Sequence, residues 1–148
     1  MKSQAELARE ASAFMLALVG WREARGEVLP VRIAVMYSVL NRVERPAWWG
    51  RSVLEVVGKL WQYSALTAPG DPNLIKWPRH DDAVWWATFH SAYDVLEYRV
   101  ANPMPGADSY HDVSIPQPGW AGAARFWGGD VPELRDQTWT NGAIGVTE

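Results

Sequence analysis

The apolar positions of this chain recur at helical spacing in several stretches and lose their period between them. From Ser3 to Arg25, Leu7, Ala11, Phe14, Leu18 and Trp21 share one face, which predicts an amphipathic helix stopped by Gly26. Pro30 suits the first turn of a second helix. Its stripe is Ile33, Met36, Val39, Leu40 and Val43, and Pro46 ends it. Ser52-Val53-Leu54-Glu55 has the form of a capping box, opening a short third helix to about Leu60. From Trp61 to Arg79 the pattern is broken by Pro69, Gly70, Pro72 and Pro78. A loop of that length in a compact domain usually carries function. Asp81 or Asp82 then starts a long helix with Val84, Thr88, Ala92 and Val95 in register, ended by Asn102-Pro103. Past Pro105, Gly and Pro are frequent and no period persists, which predicts irregular structure with a short hairpin. The expected class is mainly α.

Composition narrows the field. A chain of 148 residues, 48% hydrophobic and 21% charged, reads as one domain able to bury its own core. No linker or internal repeat divides it. Cysteine is absent, which excludes disulfides, thiolate metal sites and a thiol nucleophile. His80, His90 and His111 lack metal-ligand spacing, so no metal and no cofactor are expected. The net charge of −3, without a Lys/Arg block, argues against nucleic acid as a partner. No apolar run spans a membrane, and the charged start from Met1 to Glu10 is unlike a secretory signal. Nothing demands more than a monomer. The outlier is tryptophan, present 10 times, a flat surface for sugar rings as well as a large core residue.

Candidate chemistry begins at Glu23. With Leu16 and Val19 it forms an apolar row, so its carboxylate ends a stripe instead of pointing freely into water. Burial there favours the protonated form, as a general acid near neutral pH requires. The bland alternative is a helix-end glutamate paired with Arg22 or Arg25. Gly26 would let the backbone turn and a ligand approach. Glu27, past the helix end, is expected to brace the orphan amides of the next helix. Gln62, Tyr63 and Ser64 offer amide, phenol and hydroxyl groups suited to sugar hydroxyls, and Asp71 and Asn73 follow in the same loop. Asp71 and Asn73 equally suit ordinary turns. A third group, Asp108, Tyr110, His111 and Asp112 with Trp120, could form another wall.

Together these segments resemble the cell-wall hydrolase family that includes the spore cortex-lytic enzyme SleB. The resemblance rests on Glu23-Ala24-Arg25-Gly26-Glu27, on Ala34-Val35, and on Val39-Leu40-Asn41-Arg42-Val43. It continues at Gln62-Tyr63-Ser64 with Asp71-Pro72-Asn73, and at Ala107 to His111 with Pro118-Gly119-Trp120. It spans roughly Leu16 to Trp120 in order. It implies a small lysozyme-like or lytic-transglycosylase-like fold acting on the peptidoglycan glycan strand, with Glu23 at the catalytic glutamate's position. Val31-Arg32-Ile33 stands where the family has Gly-Gln, and the family's C-terminal Gly-x-His-x-Phe-Tyr ending has no counterpart after Trp127.

Cleaving a glycan needs a proton for the glycosidic oxygen and stabilisation of an oxocarbenium-like transition state. A two-carboxylate hydrolase would draw its partner from Asp71, Asp108 or Asp112, none marked by its setting. One clear carboxylate instead suits lytic transglycosylation, and members of the resembled family are described as acting this way. Gln62, Tyr63, Ser64, Tyr110 and His111 would hold the glycan, and Trp120 or another Trp would stack on a ring. The start unlike a secretory signal, with no wall-binding domain in view, leads us to expect a phage endolysin, made in the host cytoplasm and reaching the wall by holin-type release. A muramidase-type hydrolase, and a non-catalytic glycan-binding or virion module on the same fold, remain as alternatives.

Overall fold

The computed structural model describes residues 1–59, 63–107, 109–112, 125–126, 134 and 137–140; residue 64 and the strand residues are described by their backbone alone. The elements in chain order are α1 (Gln4–Ala24), α2 (Leu29–Glu44), α3 (Val53–Gly58), α4 (Ser64–Thr67), a 3-10 turn (Pro72–Ile75), α5 (Ala83–Leu96), β1 (Ser109–Asp112), β2 (Arg125–Phe126) and β3 (Gln137–Thr140). The fold is mainly helical, as the periodicity predicts.

Local chemistry sets most helix starts. The Ser3 hydroxyl accepts the Glu6 N–H while Glu6 reaches back to the Ser3 N–H, a complete capping box at α1. Ser52 caps α3 by accepting from Glu55, although the Glu55 carboxylate turns to the Arg51 N–H. Asp82 caps α5 by accepting from Trp85. α2 carries Pro30 in its first turn but has no side-chain cap. The bracing expected of Glu27 is therefore not made: Glu27 is exposed, and its carboxylate has no hydrogen bond or ion pair among the described residues.

α2 is the central element. Every residue from Val31 to Arg42 is buried, a cylinder covered on all sides rather than the single stripe its apolar spacing suggests. α1 and α5 pack on it and on each other, and α3 closes a further side. At Gly20 the three helices are tightly apposed; an added Cβ there would lie 3.1 Å from both Met36 Cγ and Thr88 Cγ2. Each large aliphatic side chain buried here contributes about 1.5–3 kcal/mol.

Three expectations are corrected. The α1 face of Leu7, Ala11 and Phe14 is exposed, and the enclosed residues of α1 begin at Ala13; Leu18 and Trp21 are buried as expected. α5 stops at Leu96, well before Asn102-Pro103, since Tyr98 takes a left-handed φ of 56° that no helix continues. The loop after α3 holds one short helix and one 3-10 turn. The C-terminal hairpin, expected in outline, is β2 with β3, and β1 adds to the other edge of β3 to give an antiparallel sheet of order β1-β3-β2.

Buried polar groups bolt these elements together. Asn41 donates to the carbonyls of Met104, at 3.0 Å, and Ala107, at 2.6 Å, while its own carbonyl accepts from Asn102. The segment after α5 is thus docked on α2. Arg32, one of the residues where the resemblance breaks, donates to Val84 O and to Thr88 Oγ1 on α5. Burial lowers its pKa, partly offset by the charge of Asp82. The departure at Arg32 serves helix packing.

Candidate functional site at the end of α1

Glu23 lies in the last turn of α1, half-buried between two buried neighbours, Arg22 and Ala24. Leu16 and Val19, the earlier members of its row, are fully enclosed. The helix dipole at this end opposes a negative charge. The Glu23 Oε1 atom accepts the backbone N–H of Ala65 at 3.4 Å, which ties the carboxyl to α4.

Arg22 and Arg25 are committed elsewhere. The Arg22 guanidinium donates to three carbonyls of the following loop: Ala65 at 3.3 Å, Leu74 at 3.2 Å and Lys76 at 3.1 Å. Its carbon lies 4.6 Å from the ring centroid of Trp77. Burial lowers the pKa of Arg22, and the nearby Asp71 carboxylate partly restores it. Arg25 donates to the Arg22 carbonyl and stacks over Trp21, whose indole N–H reaches Asp82. A planar cation with several directed donors can gather separate carbonyls in this way; a lysine would offer one point charge. The last turn of α1 therefore presents Glu23 and also clamps the loop beside it.

The helix ends without help from a left-handed glycine. Arg25, the C-cap residue, is in the right-handed helical range, and Gly26 is exposed with open space where a Cβ would stand.

The sequence candidates are distributed unevenly. Tyr63 is 3% exposed; its hydroxyl shares a 2.9 Å hydrogen bond with Ser38 Oγ, and Arg42 stacks on its ring at 5.0 Å. Arg42 also lies over Trp49, whose indole N–H returns to the Arg42 carbonyl. Arg42 thus braces Tyr63 from within the core. Ser64 opens α4, beside Ala65. Asp71 caps the 3-10 turn by accepting the Asn73 N–H at 2.8 Å, the turn role its type suits. Tyr110 and His111 stand on β1, opposite Trp139 and Thr138, and Asp112 ends that strand. Gln62, Asp108 and Trp120 lie outside the described residues.

Sequence reasoning passed over Arg22 and Trp77. Arg22 reads as a surface ion-pair partner, and the only hint of its clamp is its place between buried Trp21 and the carboxylate row. Trp77 sits in an aperiodic stretch, and only its indole marks it.

A family model described as cell wall hydrolase matches residues 26–127, a segment that opens just past Glu23 and includes Glu27. No curated protein and no solved structure matches the chain.

Proposed function

The chain belongs to the cell wall hydrolase family, which makes it a peptidoglycan-degrading hydrolase, and on that premise we propose that Glu23 cleaves the glycan strand by lytic transglycosylation. The observation that carries the assignment is the setting of Glu23: half-buried, ending an enclosed apolar row, and joined to the clamped loop through Ala65. A carboxyl group held at the edge of the core, by its helix on one side and a loop amide on the other, has the fixed geometry a general acid requires.

The step runs as follows at the β-1,4 bond between N-acetylmuramic acid and N-acetylglucosamine. Glu23 gives its proton to the glycosidic oxygen as the muramic C1–O bond breaks, releasing the next sugar's hydroxyl. The substrate's own N-acetyl group stabilises the positive charge at C1. The Glu23 carboxylate then takes the proton of the muramic 6-hydroxyl as that oxygen bonds to C1, closing a 1,6-anhydro ring and restoring the acid. No water is consumed. Gln62, Ser64, Tyr110, His111 and Trp120 belong to the same proposal as residues along the glycan path; Tyr63, expected there from the sequence, is enclosed and bonded to Ser38, so its part in the proposal is to position that segment. A role as a phage endolysin in host-cell lysis completes this reading.

Hydrolysis of the two-carboxylate type would need a second carboxylate across the cleft, at about 5–9.5 Å from the first. Asp71 shares the clamped loop, but its side chain is engaged in capping the 3-10 turn. Mass spectrometry of fragments released from purified peptidoglycan separates the two chemistries. The proposal predicts anhydro-muropeptides from the wild type and none from Glu23→Gln. Reducing-end muramic acid would mean hydrolysis, and absence of fragments from the wild type would favour a glycan-binding module.

A further inference from the structure

Among the exposed aromatic side chains of the described residues, Trp77 is held differently from Trp86 and Tyr98. Trp86 sends its indole N–H to the His80 carbonyl and meets Phe89 edge-on, and Tyr98 sends its hydroxyl to Glu44. Trp77 is 60% exposed, and the Arg22 guanidinium stacks on its ring. That guanidinium is itself fixed, because it donates to the carbonyl of Lys76, the residue before Trp77, and to those of Leu74 and Ala65. The Ala65 N–H in turn meets Glu23. One buried arginine therefore sets the position of an exposed indole and of the residue, Ala65, whose N–H contacts the candidate acid. Beside Trp77, Ile75 is 84% exposed, so the loop crest displays apolar surface to water.

We propose that Trp77 is a stacking platform for a sugar ring of the glycan strand at the rim of the Glu23 site. The proposal rests on the reading of the protein as a glycan-cleaving enzyme. Pyranose rings carry a face of C–H groups that packs on a flat aromatic surface, and N-acetylated sugars add an apolar methyl group. A platform works best when its orientation is set before the ligand arrives, since less side-chain freedom is then lost on binding. The Arg22 stack supplies that restraint on one face of the indole. Simple shielding of Arg22 would also place an apolar side chain here, but any bulky apolar residue could do that, whereas stacking needs an aromatic ring.

The test uses Glu23→Gln protein, so that bound glycan is not consumed, and co-sedimentation with purified peptidoglycan sacculi. Trp77→Leu, which keeps apolar cover without a flat face, should weaken binding about tenfold. Trp77→Phe should stay within about twofold of the parent, because the aromatic face remains. Thermal melting of each variant accompanies the assay. Binding by Trp77→Leu equal to that of the parent would overturn the proposal, and so would a loss in Trp77→Phe as large as in Trp77→Leu. Failure of the Glu23→Gln parent itself to bind sacculi would strike the glycan-cleaving reading and carry this inference down with it.

Discussion

The three-helix core and the loop between Tyr63 and Trp77 meet at the last turn of α1, yet opposite means hold them. The core is enclosed by many apolar side chains, with α2 covered on every side. The loop contributes few buried side chains: its 3-10 turn has none, and Trp77 and Ile75 are exposed. Its backbone is instead gathered by the Arg22 guanidinium, with a local cap from Asp71. Apolar packing spreads stability over many residues. A directed clamp concentrates it in one, and leaves the surface of the loop free to meet a ligand. That difference explains why an arginine is buried next to the candidate acid.

The comparison can be broken from either side. Leu16→Ala opens a cavity at a fully buried site in α1, and should lower global stability by about 2–5 kcal/mol, read as a lower urea midpoint. Activity per folded molecule should persist, because the loop contacts of Arg22 are untouched. Arg22→Ala should cost about 2–4 kcal/mol, since three carbonyls lose a charged donor. Here the damage should concentrate in the loop, with protease cleavage within residues 66–79 preceding global unfolding and with loss of peptidoglycan cleavage. Equal protease resistance in Arg22→Ala and wild type would show that the loop is held by something other than this clamp.

How much could be read from the sequence follows the same division. The α3 start at Ser52 was legible because capping is local chemistry, decided within a few residues, and the α5 start was narrowed to Asp81 or Asp82, of which Asp82 is the cap. The existence and order of the long helices followed from apolar spacing. The exposed first half of α1 was not legible, because Leu7 and Phe14 obey the same period as residues that are buried. Only the reach of α2 and α5 decides which turns are covered. The early end of α5 depends on a single left-handed residue, Tyr98, of a type that rarely adopts it. Within the candidate site, the row of Leu16, Val19 and Glu23 could be seen at once, being a property of one helix. The clamp from Arg22 to Ala65, Leu74 and Lys76 could not, since it joins segments far apart in the chain through backbone carbonyls that leave no trace in residue identity.

Two glutamates frame the central claim. Glu23 ends a buried row and touches the clamped loop, whereas Glu27 is exposed and without a side-chain partner among the described residues, although only Glu27 lies inside the segment matched to the family. The most direct measurement is release of soluble fragments from purified peptidoglycan by Glu23→Gln and Glu27→Gln proteins of confirmed wild-type melting temperature. The account predicts a loss of at least about a hundredfold for Glu23→Gln, the scale of a general acid's contribution, and near wild-type release for Glu27→Gln. Sustained release by folded Glu23→Gln protein, with loss in Glu27→Gln, would contradict it and move the acid to Glu27.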